Sequence, residues 1–154
     1  MPDTMRAVRI HGFGGAEALT LERVPIPRPA AGEVLVRACA AGVNPIDWYT
    51  RQGAVESLFP HRLPLILGWD VSGLVEALGD GVRGFDVGAA VFGRCDFLRD
   101  GAYAEFVAVP ADQLVGKPQS INHVEAAAVP IAAVTPWAPL AFGFRAGRLD
   151  QQSA

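Results

Sequence analysis

Punctuation constrains this chain more than any other feature: short apolar runs are cut by glycine and proline at close intervals along most of its length. Residues 5–10 alternate and predict a strand, followed by the turn His11-Gly12-Phe13-Gly14-Gly15. Residues 19–24 alternate again, 25–29 form a Pro-rich connector, and Gly32 and Glu33 open a long strand over 34–41. Residues 65–78 predict one strand run, with Gly68 and Gly73 as bulge or bend positions. Gly79-Asp80-Gly81 is a turn, Gly84 and Gly88 bracket another before strand 89–92, and 102–109 is the last strand. Short strands at this spacing predict a mainly β fold with short helices, built as a small barrel or sandwich.

Two helices interrupt this pattern. In Asn44-Pro45-Ile46-Asp47, Asn suits the N-cap, Pro the first helical position and an acid the third. The helix should run to about Arg51 and stop at Gly53. From Asn122 the pattern becomes an Ala-rich helix over 124–129. Residues 126–144 carry no charge, and their length alone would admit a membrane span. Their alanine content and Pro130, Pro136 and Pro139 argue against one.

The composition excludes several classes of function. Apolar residues at 51% and charged residues at 19% describe a chain with a core, not a disordered one. A net charge of −3, with no Lys or Arg cluster, lacks the electrostatic footprint of a nucleic-acid binder. Met1-Pro2-Asp3-Thr4-Met5-Arg6 has no charged-then-apolar signal layout, which predicts a cytoplasmic protein. Cys39 and Cys95 are expected to be free thiols, Cys39 as a small buried apolar residue in mid-strand.

Several segments, in order, are familiar. Gly42-Val43-Asn44-Pro45-Ile46-Asp47-Trp48-Tyr49 resembles the helix-start motif of quinone oxidoreductases in the medium-chain dehydrogenase superfamily. Leu65-Ile66-Leu67-Gly68-Trp69-Asp70-Val71-Ser72-Gly73 resembles the next signature strand. Gly79-Asp80-Gly81-Val82 with Phe85, and Gly101-Ala102-Tyr103-Ala104-Glu105-Phe106, continue the match. Ala126-Ala127-Ala128-Val129-Pro130 with Val134-Thr135-Pro136-Trp137 resembles the segment leading into a cofactor domain. The resemblance implies a GroES-like barrel over 1–121, an Ala-rich helical lead-in over 122–144 and a polar tail over 145–154. In the family a Rossmann domain binding NADPH or NADH usually follows.

The residue types at the metal positions argue against zinc. Zinc-dependent relatives place a Cys where this chain has Asn44, and a His-Glu pair where it has Trp69 and Asp70. An amide and an indole are not zinc ligands. The structural-zinc lobe needs four closely spaced cysteines, and only Cys95 lies in that region. His11, His61 and His123 are scattered. Without a Lewis acid the substrate must already be electrophilic, as a quinone or enone is.

A dinucleotide site needs G-x-G-x-x-G between a strand and a helix. The nearest candidate, Gly12-Phe13-Gly14-Gly15-Ala16-Glu17, has Glu17 where the third glycine belongs and is followed by a strand. It is read as a loop, and the Rossmann domain as absent. NADPH is therefore expected to bind this chain more weakly than ~1 mM, or less than about 4 kcal/mol. Ala138-Pro139-Leu140-Ala141-Phe142-Gly143-Phe144 departs from the expected helix at Pro139, which suggests a truncated or frameshifted product, or a fragment.

Among single residues, Asn44 resembles the asparagine that borders the nicotinamide, with helix capping as the plain alternative. Tyr49 matches a position near substrate and cofactor, where its phenol could donate to a developing enolate; the alternative is a half-buried helix aromatic. Trp69 and Asp70 hold the former ligand positions, with Trp69 either walling the cleft or filling the core. Thr135 resembles a threonine near the nicotinamide carboxamide, or caps a helix before Pro136. Asp47 is read as structural, and Tyr103 as packing. The predicted catalytic residues are thus Tyr49 and Asn44, the cofactor contacts Asn44 and Thr135, and the substrate cleft Tyr49, Trp69 and Asp70. The expected partner is a small quinone or enone. The rival readings are a non-catalytic binding or assembly module, with a partner or a second copy on its Ala-rich face, and one half of a split reductase whose Rossmann domain is a separate chain.

Overall fold

The computed structural model describes the backbone of residues 3–141 and the side chains of 3–135. The polar tail assigned to 145–154, together with 142–144, lies outside the described residues. The elements in order are β1 (Thr4–Ile10), β2 (Thr20–Pro25), β3 (Glu33–Gly42), α1 (Pro45–Arg51), β4 (Leu65–Ile66) and β5 (Asp70–Leu78). Then come β6 (Ala90–Arg94), β7 (Phe106–Pro110), β8 (Leu114–Gly116), α2 (His123–Ala127) and α3 (Pro130–Ala141).

The strands form two antiparallel sheets, ordered β2-β1-β4 and β7-β3-β5-β6-β8. They do not close into a barrel. A single bridge, Ala7 to Ala104, joins β1 to the irregular segment before β7. That segment is hydrogen-bonded on both flanks: Tyr103 N–H donates to the Leu67 carbonyl at 2.9 Å, and Val8 N–H to the Tyr103 carbonyl at 2.7 Å. Only Phe106–Pro110 of the predicted strand 102–109 is regular, because the residues before it serve two edges at once.

The main core lies under the larger sheet, with Ile10, Val34, Val36, Trp69, Val71 and Val91 fully enclosed. Met5, Ala7, Val24 and Ile66 form a smaller cluster beneath β1. Apolar burial of this kind contributes roughly 1.5–3 kcal/mol per side chain.

Three expectations need correction. The run 65–78 is broken into β4 and β5, since Gly68 takes φ +87° and bends the chain between them. Cys39 is exposed, not buried. Ala38 pairs with Gly73 and Ala40 with Ser72, so Cys39 is the extra residue of a bulge and has no partner on β5. The helix after Val129 does not end at its prolines: α3 starts with Pro130 and runs past Pro136 and Pro139. Each removes one backbone donor, which leaves the Ala132 and Thr135 carbonyls without their usual N–H. Among the described residues no helix is long and apolar enough to cross a membrane.

Candidate active site

The site is built from the start of α1. Asn44 is extended, with φ −123° and ψ 161°, and its N–H donates to Asp47 Oδ2 at 2.5 Å. Pro45 occupies the first helical position, and the Asp47 N–H bonds back to the Asn44 carbonyl at 3.0 Å. Asn44 is thus the N-cap and Asp47 reaches back to its N–H, as Asn-Pro-Ile-Asp at a helix start predicts.

The Asn44 side chain makes no cap hydrogen bond and turns instead to β5. Its Nδ2 donates to Asp70 Oδ2 at 2.9 Å, linking α1 to the first residue of β5. The other Asp70 oxygen accepts from the Ile131 N–H at 3.0 Å, at the positive end of α3. Asp70 is 0% exposed. Burial pushes its acid strength down, raising the pKa, and the bonds from Asn44 and Ile131 offset only part of that rise.

Asp47 is also buried, and burial lifts its pKa to about 6, against the pull of the Asn44 N–H. The phenol of Tyr103 faces the same carboxyl and favours its charged form. The pair nevertheless falls short of hydrogen-bond geometry: both Asp47 Oδ1 and Tyr103 Oη are buried without a partner. Two carboxylates therefore flank Asn44, one held through its main chain and one through its side chain.

Tyr49 is exposed on α1 and stacks on Trp48, with ring centroids 3.8 Å apart and planes 28° from parallel. Trp69 does not present a face to solvent. It is fully buried, donates Nε1 to the Arg99 carbonyl at 3.3 Å and packs 5.3 Å from Phe97. Asp70 likewise lines no open surface. Thr135 is exposed in the interior of α3, so it does not cap a helix before Pro136. The structure thus brings Asn44, Asp47 and Asp70 together and puts Tyr49 on the same short helix. Thr135 is related to them only through α3, whose Ile131 meets Asp70.

The contact between Ile131 and Asp70 is the part of the candidate site that sequence reasoning missed. Its signal was Pro130, which fits a helix start and therefore a set of free N–H donors. A cavity of about 590 Å³ lies elsewhere, among Met5, Arg9, Pro25, Arg62, Ile66 and Phe106, and none of Asn44, Asp47, Tyr49 or Asp70 lines it.

The Gly12–Gly15 loop does not offer its N–H groups to the phosphates of a dinucleotide. At the one Gly-rich candidate, Gly15 N–H is already bonded to the Glu17 carboxylate at 2.8 Å, and the space beside Gly15 is filled by that carboxylate. An anion there would face a like charge, and only a 3₁₀ turn, Ala16–Ala18, follows. Among the described residues no group of three or more His, Cys, Asp or Glu side chains could hold a metal ion.

A family model described as the alcohol dehydrogenase GroES-like domain matches residues 30–119. The chain belongs to the alcohol dehydrogenase GroES-like domain family. This GroES-like domain is 40% identical to the mouse synaptic vesicle membrane protein VAT-1 homolog-like over 136 residues, 88% of this chain and 31% of the relative. It is 39% identical to mouse quinone oxidoreductase over 128 residues, 82% of this chain and 38% of that protein. The solved structure of mycobacterial Rv1454c complexed with NADPH superposes with a TM-score of 0.75 at 36% identity, covering 85% of this chain and 38% of that one. The chain therefore spans roughly a third of the length of these relatives.

Proposed function

We propose that this GroES-like domain forms the substrate side of a cleft in which an NAD(P)H-dependent reductase passes hydride to a quinone or a comparable conjugated carbonyl. One observation carries the reading: an exposed phenol, Tyr49, stands on the helix whose cap, Asn44, is held by two buried carboxylates. The similarity to mouse quinone oxidoreductase supports the substrate class, and the NADPH in the mycobacterial neighbour supports the cofactor class.

Reduction of a conjugated carbonyl leaves a delocalised anion on oxygen. The Tyr49 hydroxyl would donate a hydrogen bond to that oxygen, and the Trp48–Tyr49 stack would give the flat ring an apolar surface. No residue need act as a strong base, since holding the ring in place supplies much of the advantage. The grip on the cofactor phosphates would come from residues outside those described, on the same or a separate chain.

The test is an NMR titration of the ¹⁵N-labelled chain with duroquinone, whose fully methylated ring resists addition of the exposed Cys39 thiol. Shifts should concentrate on residues 44–49 and weaken in Y49F. Shifts confined to the cavity beside Arg9 and Phe106, or none at millimolar ligand, would refute the reading. A second reading, a non-catalytic binding or assembly module, draws on the exposed Val124 of α2, Val134 of α3 and Val129 between them. Light scattering that finds a defined dimer would favour it.

A further inference from the structure

We infer that Asp70 is a positioning residue: it holds the Asn44 side chain in the orientation the cleft requires and ties that orientation to the start of α3. The inference deepens the reductase reading and rests on it.

The argument starts from what a buried carboxylate can accept. Asp70 is completely enclosed, and each of its oxygens takes one donor, Asn44 Nδ2 at 2.9 Å and Ile131 N–H at 3.0 Å. A carboxylate only accepts, so it settles which end of the Asn44 amide faces it. The nitrogen must point to Asp70, and the amide cannot rotate by half a turn without setting its oxygen against a buried acid. Such a bond, to a charged group away from water, is stronger than a neutral one.

The surroundings leave Asp70 little room to move. Gly42 ends β3 directly beside it, and a methyl group on Gly42 would lie 2.8 Å from the Asp70 Cβ and 2.5 Å from the Ala127 carbonyl. The carboxylate is thus wedged between β3 and α2, with its two bonds running to α1 and α3. A shift of the α3 N-terminus changes the Asp70 acceptor and, through it, the Asn44 amide. A substitution here acts through Asn44 and not on the substrate.

Two measurements decide this. In the ligand-free chain, the Asn44 side-chain NH₂ should exchange with solvent at least about tenfold more slowly than a free amide. Exchange at the free rate overturns the inference, and no variant is needed to see it. In the second, duroquinone affinity is read by NMR for the wild type, N44A, D70N and the double variant. An Asn at 70 presents an NH₂ group to at least one of its two donors, so D70N should weaken binding about tenfold. On the N44A background the same change should matter less than about twofold, because its effect passes through the missing amide. Equal losses in both backgrounds, or none in either, overturn the inference. Failure of the wild type to bind duroquinone removes the reductase reading, while the amide exchange still reports whether Asp70 holds Asn44.

Discussion

His123 Nδ1 lies 2.7 Å from Ser72 Oγ, so the first residue of α2 is fastened to a fully buried hydroxyl in mid-β5. The same hydroxyl donates to the Val91 carbonyl of β6 at 3.1 Å. One oxygen therefore joins two strands and a helix that neighbouring sequence does not connect. The capping box between Asn122 and Glu125 starts α2, and the Ser72 contact determines where it rests.

S72A should lower stability by about 1–2 kcal/mol, since it strands a half-buried imidazole nitrogen and a buried carbonyl. Urea denaturation measures this. Burial, with the Lys117 charge behind it, lowers the His123 pKa below its usual 6.5. The unfolded chain then binds the proton more readily, so the His123 contribution is lost as pH falls below about 6.5. An NMR titration of the ring should give a midpoint under that value.

Asp47 gives the opposite pH dependence. Its folded pKa is raised to about 6 from 3.8, so the folded state holds the proton more tightly. This contribution is fully present below about 4 and is lost as pH rises through about 6. D47N keeps an oxygen for the Asn44 N–H and removes the titration. The urea midpoint of D47N should therefore change less between pH 4 and pH 7 than that of the wild type.

Gly68 should tolerate no side chain. It holds φ +87°, and an added methyl would lie 2.2 Å from the Tyr103 ring. G68A combines left-handed strain with overpacking, for a loss of about 3 kcal/mol. The denaturation midpoint is the readout, with G81A as the comparison, since Gly81 shares the positive φ but has open space around it.

The two thiols should separate cleanly. Cys39 is exposed, whereas Cys95 is buried and burial pushes its pKa up to about 12. A thiol reagent such as DTNB should therefore label Cys39 in the native protein and reach Cys95 only after unfolding. Rapid labelling of both in native buffer would contradict the packing around Cys95.

Much of the site was legible in the sequence because helix starts are local. Asn44, Pro45 and Asp47 sit within four positions of one another, and capping chemistry acts over that range. Gly53, at φ +77°, stops α1 for an equally local reason. The short β8 strand was not legible, since its three residues are a strand only by pairing with β6. Cys39 follows the same logic: a small thiol in mid-strand predicts a buried residue, and only the pairing with β5 shows it at a bulge, exposed and without a partner there.

By itself the sequence determined where α1 and α2 begin, and it pointed to the family the chain belongs to. Those depend on backbone preferences and caps that span only a few residues. Tertiary structure alone decided that the sheets stay open, that Trp69 is core and that Asp70 reaches Asn44, 26 positions away. These outcomes rest on which buried donor meets which buried acceptor. A chain can specify such a pairing only through the packing of everything between the two groups.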